Sequence, residues 1–167
     1  MYSTIRRTVL AVLLAALPVF GWAAFPATQR LADTELQLNG HGVRHRFMFK
    51  VYEMALYTPS KGATVEQLMD LPGPKRLSFV ALRELPGTDL GLAFLKGLSA
   101  NSSKEAVQKY TVATNRLIEI FSGKPKLQPG DSFAMEFIPG KGTQFYILGQ
   151  VQGAPVGDDE VFKMVLR

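Results

Sequence analysis

From Val43 to Thr58 the chain is dense in β-branched and aromatic residues, and this run constrains the fold more than any other stretch. Val43, His45, Phe47, Phe49 and Val51 fall on one side of an alternating pattern, with Arg44, Arg46, Met48 and Lys50 on the other. A period of two marks an extended strand with unlike faces. Beyond Val51 both faces are apolar, through Tyr52, Met54, Ala55, Leu56 and Tyr57, so this part reads as a strand buried on two sides. Asn39-Gly40 predicts a turn before the run, after a first strand from Thr34 to Leu38. Pro59-Ser60-Lys61-Gly62 ends it.

Residues 24–33 read as a lead-in, Thr64 to Asp70 as a short helix and Leu71-Pro72-Gly73-Pro74 as a loop. Arg76 to Arg83 alternates again, with Leu77, Phe79 and Ala81 on one face and Ser78, Val80 and Leu82 on the other. Two helices follow. The first, Thr88 to Ala100, carries Leu90, Ala93, Phe94 and Leu98 at helical spacing. The second opens with a capping box at Ser102-Ser103-Lys104-Glu105 and ends at Gly123. Its apolar stripe is Ala106, Tyr110, Ala113, Leu117 and Ile120/Phe121. Ser132 to Ile138 and Thr143 to Leu148 read as strands, Val151 extends the sheet past Gly149, and Asp158 to Arg167 is a last helix. Strands at both ends with helices between them predict an α+β domain, its mostly antiparallel sheet covered on one face by helices.

Of the 167 residues, 47% are apolar and 20% charged, the balance of a soluble globular chain long enough for one domain. Arg6 and Arg7, the apolar run Val9 to Phe20 and the small-x-small site Gly21-Trp22-Ala23 form the three parts of a cleavable export signal. A retained anchor is the weaker reading, because the run is short for a span of about 20 residues and contains Pro18. The chain therefore divides into a signal at 1–23 and a single domain at 24–167, with no stable membrane span after cleavage and the mature protein expected in the periplasm. Removing the signal leaves 17 basic and 14 acidic residues. That mild charge, with no basic run interleaved with aromatics, argues against nucleic acid as a partner. The chain has no cysteine, which excludes disulfides, thiol catalysis and a lipid-modified cysteine anchor. Such an exported domain must hold together by its core alone.

Few residues suggest chemistry. His41 and His45 share a strand face about 13 Å apart, too far for one metal, and no third ligand is evident. No metal site and no cofactor are expected. Glu53 is the one acid in the apolar strand. A buried carboxylate there would suit a general base, but a solvated or paired side chain is commoner, and no catalytic residue is assigned. Gly91 and Gly97 lie inside a predicted helix at a cost of about 1 kcal/mol each relative to alanine. They leave room for a ligand or allow close backbone packing. Arg44 offers a planar fork to a carboxylate, or is a solvated strand residue beside Arg46. Arg83 ends a strand on the face of Leu77, Phe79 and Ala81, as a second charge for a ligand or as a side chain snorkelling to water.

The segments Leu38-Asn39-Gly40-His41-Gly42-Val43-Arg44, Phe49-Lys50-Val51-Tyr52, Ala55-Leu56-Tyr57 and Leu71-Pro72-Gly73-Pro74-Lys75-Arg76-Leu77 together resemble the bacterial chalcone-isomerase-like family. The likeness continues through the two helices, Gly130-Asp131 and Ile138-Pro139-Gly140. It implies an open-faced antiparallel sheet, a helical layer and a ligand cleft between them. Enzymes of this fold close a flavanone ring with an arginine in a Gly-x-Gly-x-Arg segment, a threonine on the next strand, and a tyrosine and an asparagine on the first long helix. A sister branch binds fatty acids, keeping the arginine and placing tyrosine at the threonine position. Here Gly40-His41-Gly42-Val43-Arg44 matches the arginine segment, and Tyr52 stands where the binding branch has its tyrosine. The two helix positions hold Leu90 and Gly97, neither of which donates a side-chain hydrogen bond. Ring closure depends on such donors at the developing enolate.

The resemblance therefore implies a non-enzymatic protein that binds a small apolar, anionic ligand such as a fatty acid, with Arg44 and Tyr52 as ligand-binding residues. Tyr52 reads equally as a core tyrosine with a backbone partner. Arg83 joins them as a ligand-binding candidate from its place at the strand end. Two other readings stay open: an isomerase or intramolecular lyase acting on another substrate, and a structural or interaction protein of the cell envelope. The resemblance also implies some residues beyond Arg167. The sequence leaves the oligomeric state open.

Overall fold

The computed structural model describes residues 25–124 and 126–167, so the export signal expected at 1–23 lies outside the described residues. Three strands come first, β1 (Thr28–Leu31), β2 (Thr34–Arg46) and β3 (Phe49–Thr58). Helix α1 (Val65–Asp70) leads to β4 (Lys75–Ala81), and the two-residue β5 (Leu85–Pro86) precedes a helical block. That block is α2 (Gly87–Asn101), α3 (Lys104–Lys109) and α4 (Thr111–Ser122), after which β6 (Lys126–Leu127) pairs back onto β5. Strands β7 (Ser132–Ile138), β8 (Gly142–Ile147) and β9 (Gln150–Val151) and helix α5 (Asp159–Leu166) complete the chain. Seven strands form one antiparallel sheet in the order β1-β2-β3-β4-β7-β8-β9. The α+β expectation holds.

The larger core lies between this sheet and the helices. Leu77, Phe79, Phe133, Met135 and Phe145 point up from the sheet against Leu90 and Leu98 of α2, Leu117 and Phe121 of α4, and Phe162 of α5. Phe79 and Phe133 stack with centroids 4.4 Å apart, as do Phe94 and Phe121 at 5.2 Å, and Phe121 meets Phe133 edge-on. A second, smaller core sits on the opposite face, where Phe25, Leu31, Leu36, Ala55 and Tyr57 pack together. The Tyr57 hydroxyl donates to the carbonyl of Pro26 at 2.9 Å, tying residues before β1 to this face. The lead-in expected at 24–33 thus contains a strand, β1, which pairs with β2. Farther along the same face, Arg76 forms an ion pair with buried Glu136 and donates from Nε to Ser78 Oγ.

The run from Val43 to Thr58 is a hairpin and not one strand. Phe47 and Met48 form a two-residue turn between the pair Arg46↔Phe49. Neither is a turn-forming residue, and Phe47 pays with a left-handed backbone, φ 53°. Nine cross-strand pairs between β2 and β3 outweigh that local cost. Asn39-Gly40, in turn, is no turn: β2 runs straight through it as a β-bulge, with Leu38 opposite Tyr57 and Gly40 opposite Leu56. The expected second helix is also broken, at Tyr110 (φ −103°, ψ 21°), between α3 and α4. The Thr111 hydroxyl donates back to the carbonyls of Val107 and Gln108, a local alternative to continuous helix. Ser103, not Ser102, caps α3 by accepting from Ala106 N at 3.2 Å.

Candidate functional site

A bulge moves every later side chain on its strand to the other face, and the one at Asn39 builds the site. Leu36 and Leu38, before it, belong to the smaller core. Gly40, Gly42 and Arg44, after it, pair with Leu56, Met54 and Tyr52, which face the helical side with Leu77, Phe79 and Ala81. Asn39 holds the bulge by its side chain: Oδ1 accepts from Gly62 N at 2.8 Å and Nδ2 donates to Gly62 O at 3.2 Å. The sequence signal was correctly placed at Asn39-Gly40, but it marked a clamp and not a reversal.

The consequence is an uncovered strip. A Cβ placed on Gly40 or Gly42 would meet nothing within 4 Å, and Leu56, Met54 and Tyr52 are only half-buried. Two missing side chains thus leave apolar ground open along β2 and β3. At its end Arg44 lies directly across from Tyr52. The Tyr52 ring packs edge-on against Phe79 and Phe133, with centroids 5.5 and 6.1 Å away, which anchors it to the core. Burial pushes its hydroxyl above the ordinary tyrosine value of 10.0, and the charge of Arg44 opposes part of that rise. Tyr52 is therefore a neutral donor at neutral pH, beside a permanent cation.

Arg44 and Arg83 are exposed, and among the described residues neither is in an ion pair. Arg83 follows β4, and its guanidinium lies 5.6 Å from the Phe49 ring centroid. The structure thus brings Arg44 and Tyr52 together and sets Arg83 over the ring of Phe49. None of the three lines either of two cavities of about 370 and 340 Å³. The larger lies on the opposite face of the sheet, around Arg76, Ser78 and Tyr146; the smaller lies beside α5, around Lys75 and Phe162.

The remaining candidates separate cleanly. Leu90 is core, and Gly97 faces open space. Gly91 is a packing glycine, since a Cβ there would lie 3.2 Å from the Cα of Ile118 on α4. His41 and His45 are exposed, and Glu53 is half-buried opposite Val43. What sequence reasoning missed is the turn at Phe47-Met48, for which the only signal was the three large apolar residues Phe47, Met48 and Phe49 between Arg46 and Lys50.

No curated protein matches this sequence. Among solved structures, a fatty-acid binding protein of Arabidopsis thaliana aligns over 85% of this chain and 79% of its own, with a TM-score of 0.65 and 15% sequence identity. At that identity the likeness is one of fold. The family model for chalcone isomerase-like proteins matches residues 19–167, which takes in every element described above. The chain belongs to the chalcone isomerase-like family.

Proposed function

We propose that the protein is a non-enzymatic binder of an apolar, anionic ligand such as a fatty acid. The carrying observation is the Arg44–Tyr52 pair at the end of a strip that Gly40 and Gly42 leave open. The acyl chain lies along Leu56 and Met54, and the carboxylate meets the Arg44 guanidinium and the Tyr52 hydroxyl, with Arg83 as a nearby second charge. The name of the plant protein of like fold supports this class of ligand. Leu90 and Gly97 supply no donor for ring closure, which supports binding over isomerisation.

Titration with a long-chain fatty acid at low and physiological salt tests the site. Arg44→Ala weakens binding by roughly 10- to 150-fold, the worth of a charge-assisted hydrogen bond. Arg46→Ala, a rim charge, weakens it far less, and its effect fades with salt. Gly42→Val keeps the fold, because the space is empty, and obstructs the strip. Equal, salt-sensitive losses at both arginines reduce Arg44 to part of a basic surface. No binding by the unaltered protein, or chalcone turnover abolished by Arg44→Ala, overturns the proposal.

The proposal extends to location: residues 1–23 direct export and are removed, so the working protein begins at Ala24 in the periplasm. The charge, apolar run and small-residue site of the sequence support this. N-terminal sequencing of the protein from a periplasmic fraction should read Ala24 first; an intact, membrane-retained N-terminus contradicts it.

A further inference from the structure

The turn between β2 and β3 exposes large apolar side chains in succession: Phe47 is 90% exposed, Met48 85% and Phe49 57%. Single exposed apolar residues are ordinary, but three in a row at a hairpin tip form a contiguous patch of the kind that marks a contact surface. The left-handed φ of 53° at Phe47 belongs to the turn type, since Ala32 and Leu148 hold nearly the same φ in the other two-residue turns, so the exposed side chains and not the backbone mark this tip.

Around the patch the charge is of one sign. Arg44, His45, Arg46 and Lys50 are all exposed on the same hairpin, and no acid occurs between Glu35 and Glu53. Arg83 adds its guanidinium against the Phe49 ring, while neighbouring Glu84 is engaged by Lys126 at 2.8 Å. An apolar tip within a basic collar matches one surface in particular. Aromatic and methionine side chains can enter the boundary between headgroups and acyl chains, while arginine and lysine reach lipid phosphates. Pairing of two tips from two copies of the chain would set like charges against each other.

We propose that the β2–β3 hairpin docks this protein onto anionic phospholipid bilayers, with Phe47 and Met48 inserted and Arg46 and Lys50 at the phosphates. Docking stands on the exposed tip alone and does not require the fatty-acid site. Where both hold, the Arg44–Tyr52 end of the strip lies next to the membrane surface, on the route by which a lipid-derived acid would enter.

The chain has no cysteine, so Met48→Cys provides a single attachment point for an environment-sensitive fluorophore in the full-length protein. A second label goes on Val112→Cys, equally exposed but on α4. Residues 1–24 are common to both, so any membrane attachment through them is the same for each. On vesicles of equal parts phosphatidylglycerol and phosphatidylcholine, with no fatty acid present, the label at 48 shifts to the blue and the label at 112 does not. Added salt lessens the shift, and pure phosphatidylcholine gives little. Arg46→Glu with Lys50→Glu in the labelled protein weakens partition by at least about fivefold per charge lost. Circular dichroism verifies that each variant is folded. No shift at 48, equal shifts at 48 and 112, or equal response to both vesicle types overturns the proposal. So does a shift that appears without lipid as protein concentration rises, which would assign the tip to a second copy of the chain.

Discussion

Phe47 and Gly42 show how single residues on one hairpin trade stability against exposure. Gly42 leaves a strand position bare, with nothing within 4 Å of where a side chain would begin. Phe47 does the reverse, placing a large ring where the backbone is left-handed and no core receives it. Left-handed geometry costs an ordinary residue roughly 1–2 kcal/mol. Phe47→Gly should therefore stabilise the fold by about 1 kcal/mol, allowing for glycine's greater freedom in the unfolded chain. Urea unfolding measures it, through a midpoint that rises at constant slope. A lower midpoint would mean that the Phe47 ring has packing partners after all.

At the scale of elements, Gly91 and Gly97 of α2 do opposite things. Gly91 lets α2 approach α4 so closely that a Cβ would meet the Ile118 backbone, whereas Gly97 faces open space. Gly97→Ala should stabilise the protein by up to about 1 kcal/mol through helix propensity. Gly91→Val should destabilise it by about 2 kcal/mol or more, since one packed helix must shift against another. Thermal or urea unfolding of the two variants distinguishes them, and an equal effect would show that the helix pair is loosely held. The β2–β3 pair depends on the Asn39 clamp in a comparable way. Its two hydrogen bonds to Gly62 fix the bulge, and the bulge decides which face receives Arg44.

Across the whole molecule, burial acts on ionisable groups in a consistent direction. The hydroxyls of Tyr52, Tyr57 and Tyr146 are all pushed above 10.0, burial being the largest cause for each. A raised tyrosine favours the protonated form in the folded state. Its contribution is thus fully present below the unfolded value and is lost as pH rises through the folded one. Lys75 works the other way. Its ammonium, desolvated beside the Phe137 ring, is held below 10.5, so it favours folding as pH climbs towards that value. The raised tyrosines therefore contribute a fall in stability as pH rises from about 9 to above about 10. Urea midpoints across that range test it, and Tyr52→Phe should remove part of the fall; an unchanged fall would mean that Tyr52 keeps its ordinary value.

The sequence by itself determined the class and most of the elements. Alternation at Leu77, Phe79 and Ala81 and helical spacing at Leu90, Phe94 and Leu98 depend on neighbours in the chain, and the structure keeps them. The roles expected for Arg44 and Tyr52 came instead from the family resemblance, through the Gly-x-Gly-x-Arg segment for Arg44 and the strand Phe49-Lys50-Val51-Tyr52 for Tyr52. Only the tertiary structure decided that the run from Val43 to Thr58 folds back at Phe47-Met48 and that Asn39 is a bulge. A two-residue turn and a bulge each change which face a side chain takes without changing the composition around it. Whether Arg46 and Phe49 lie far apart along one strand or directly across from each other is settled by strand pairing. That pairing is a cooperative, long-range choice, and it places the basic collar, the apolar tip and the open strip on one hairpin.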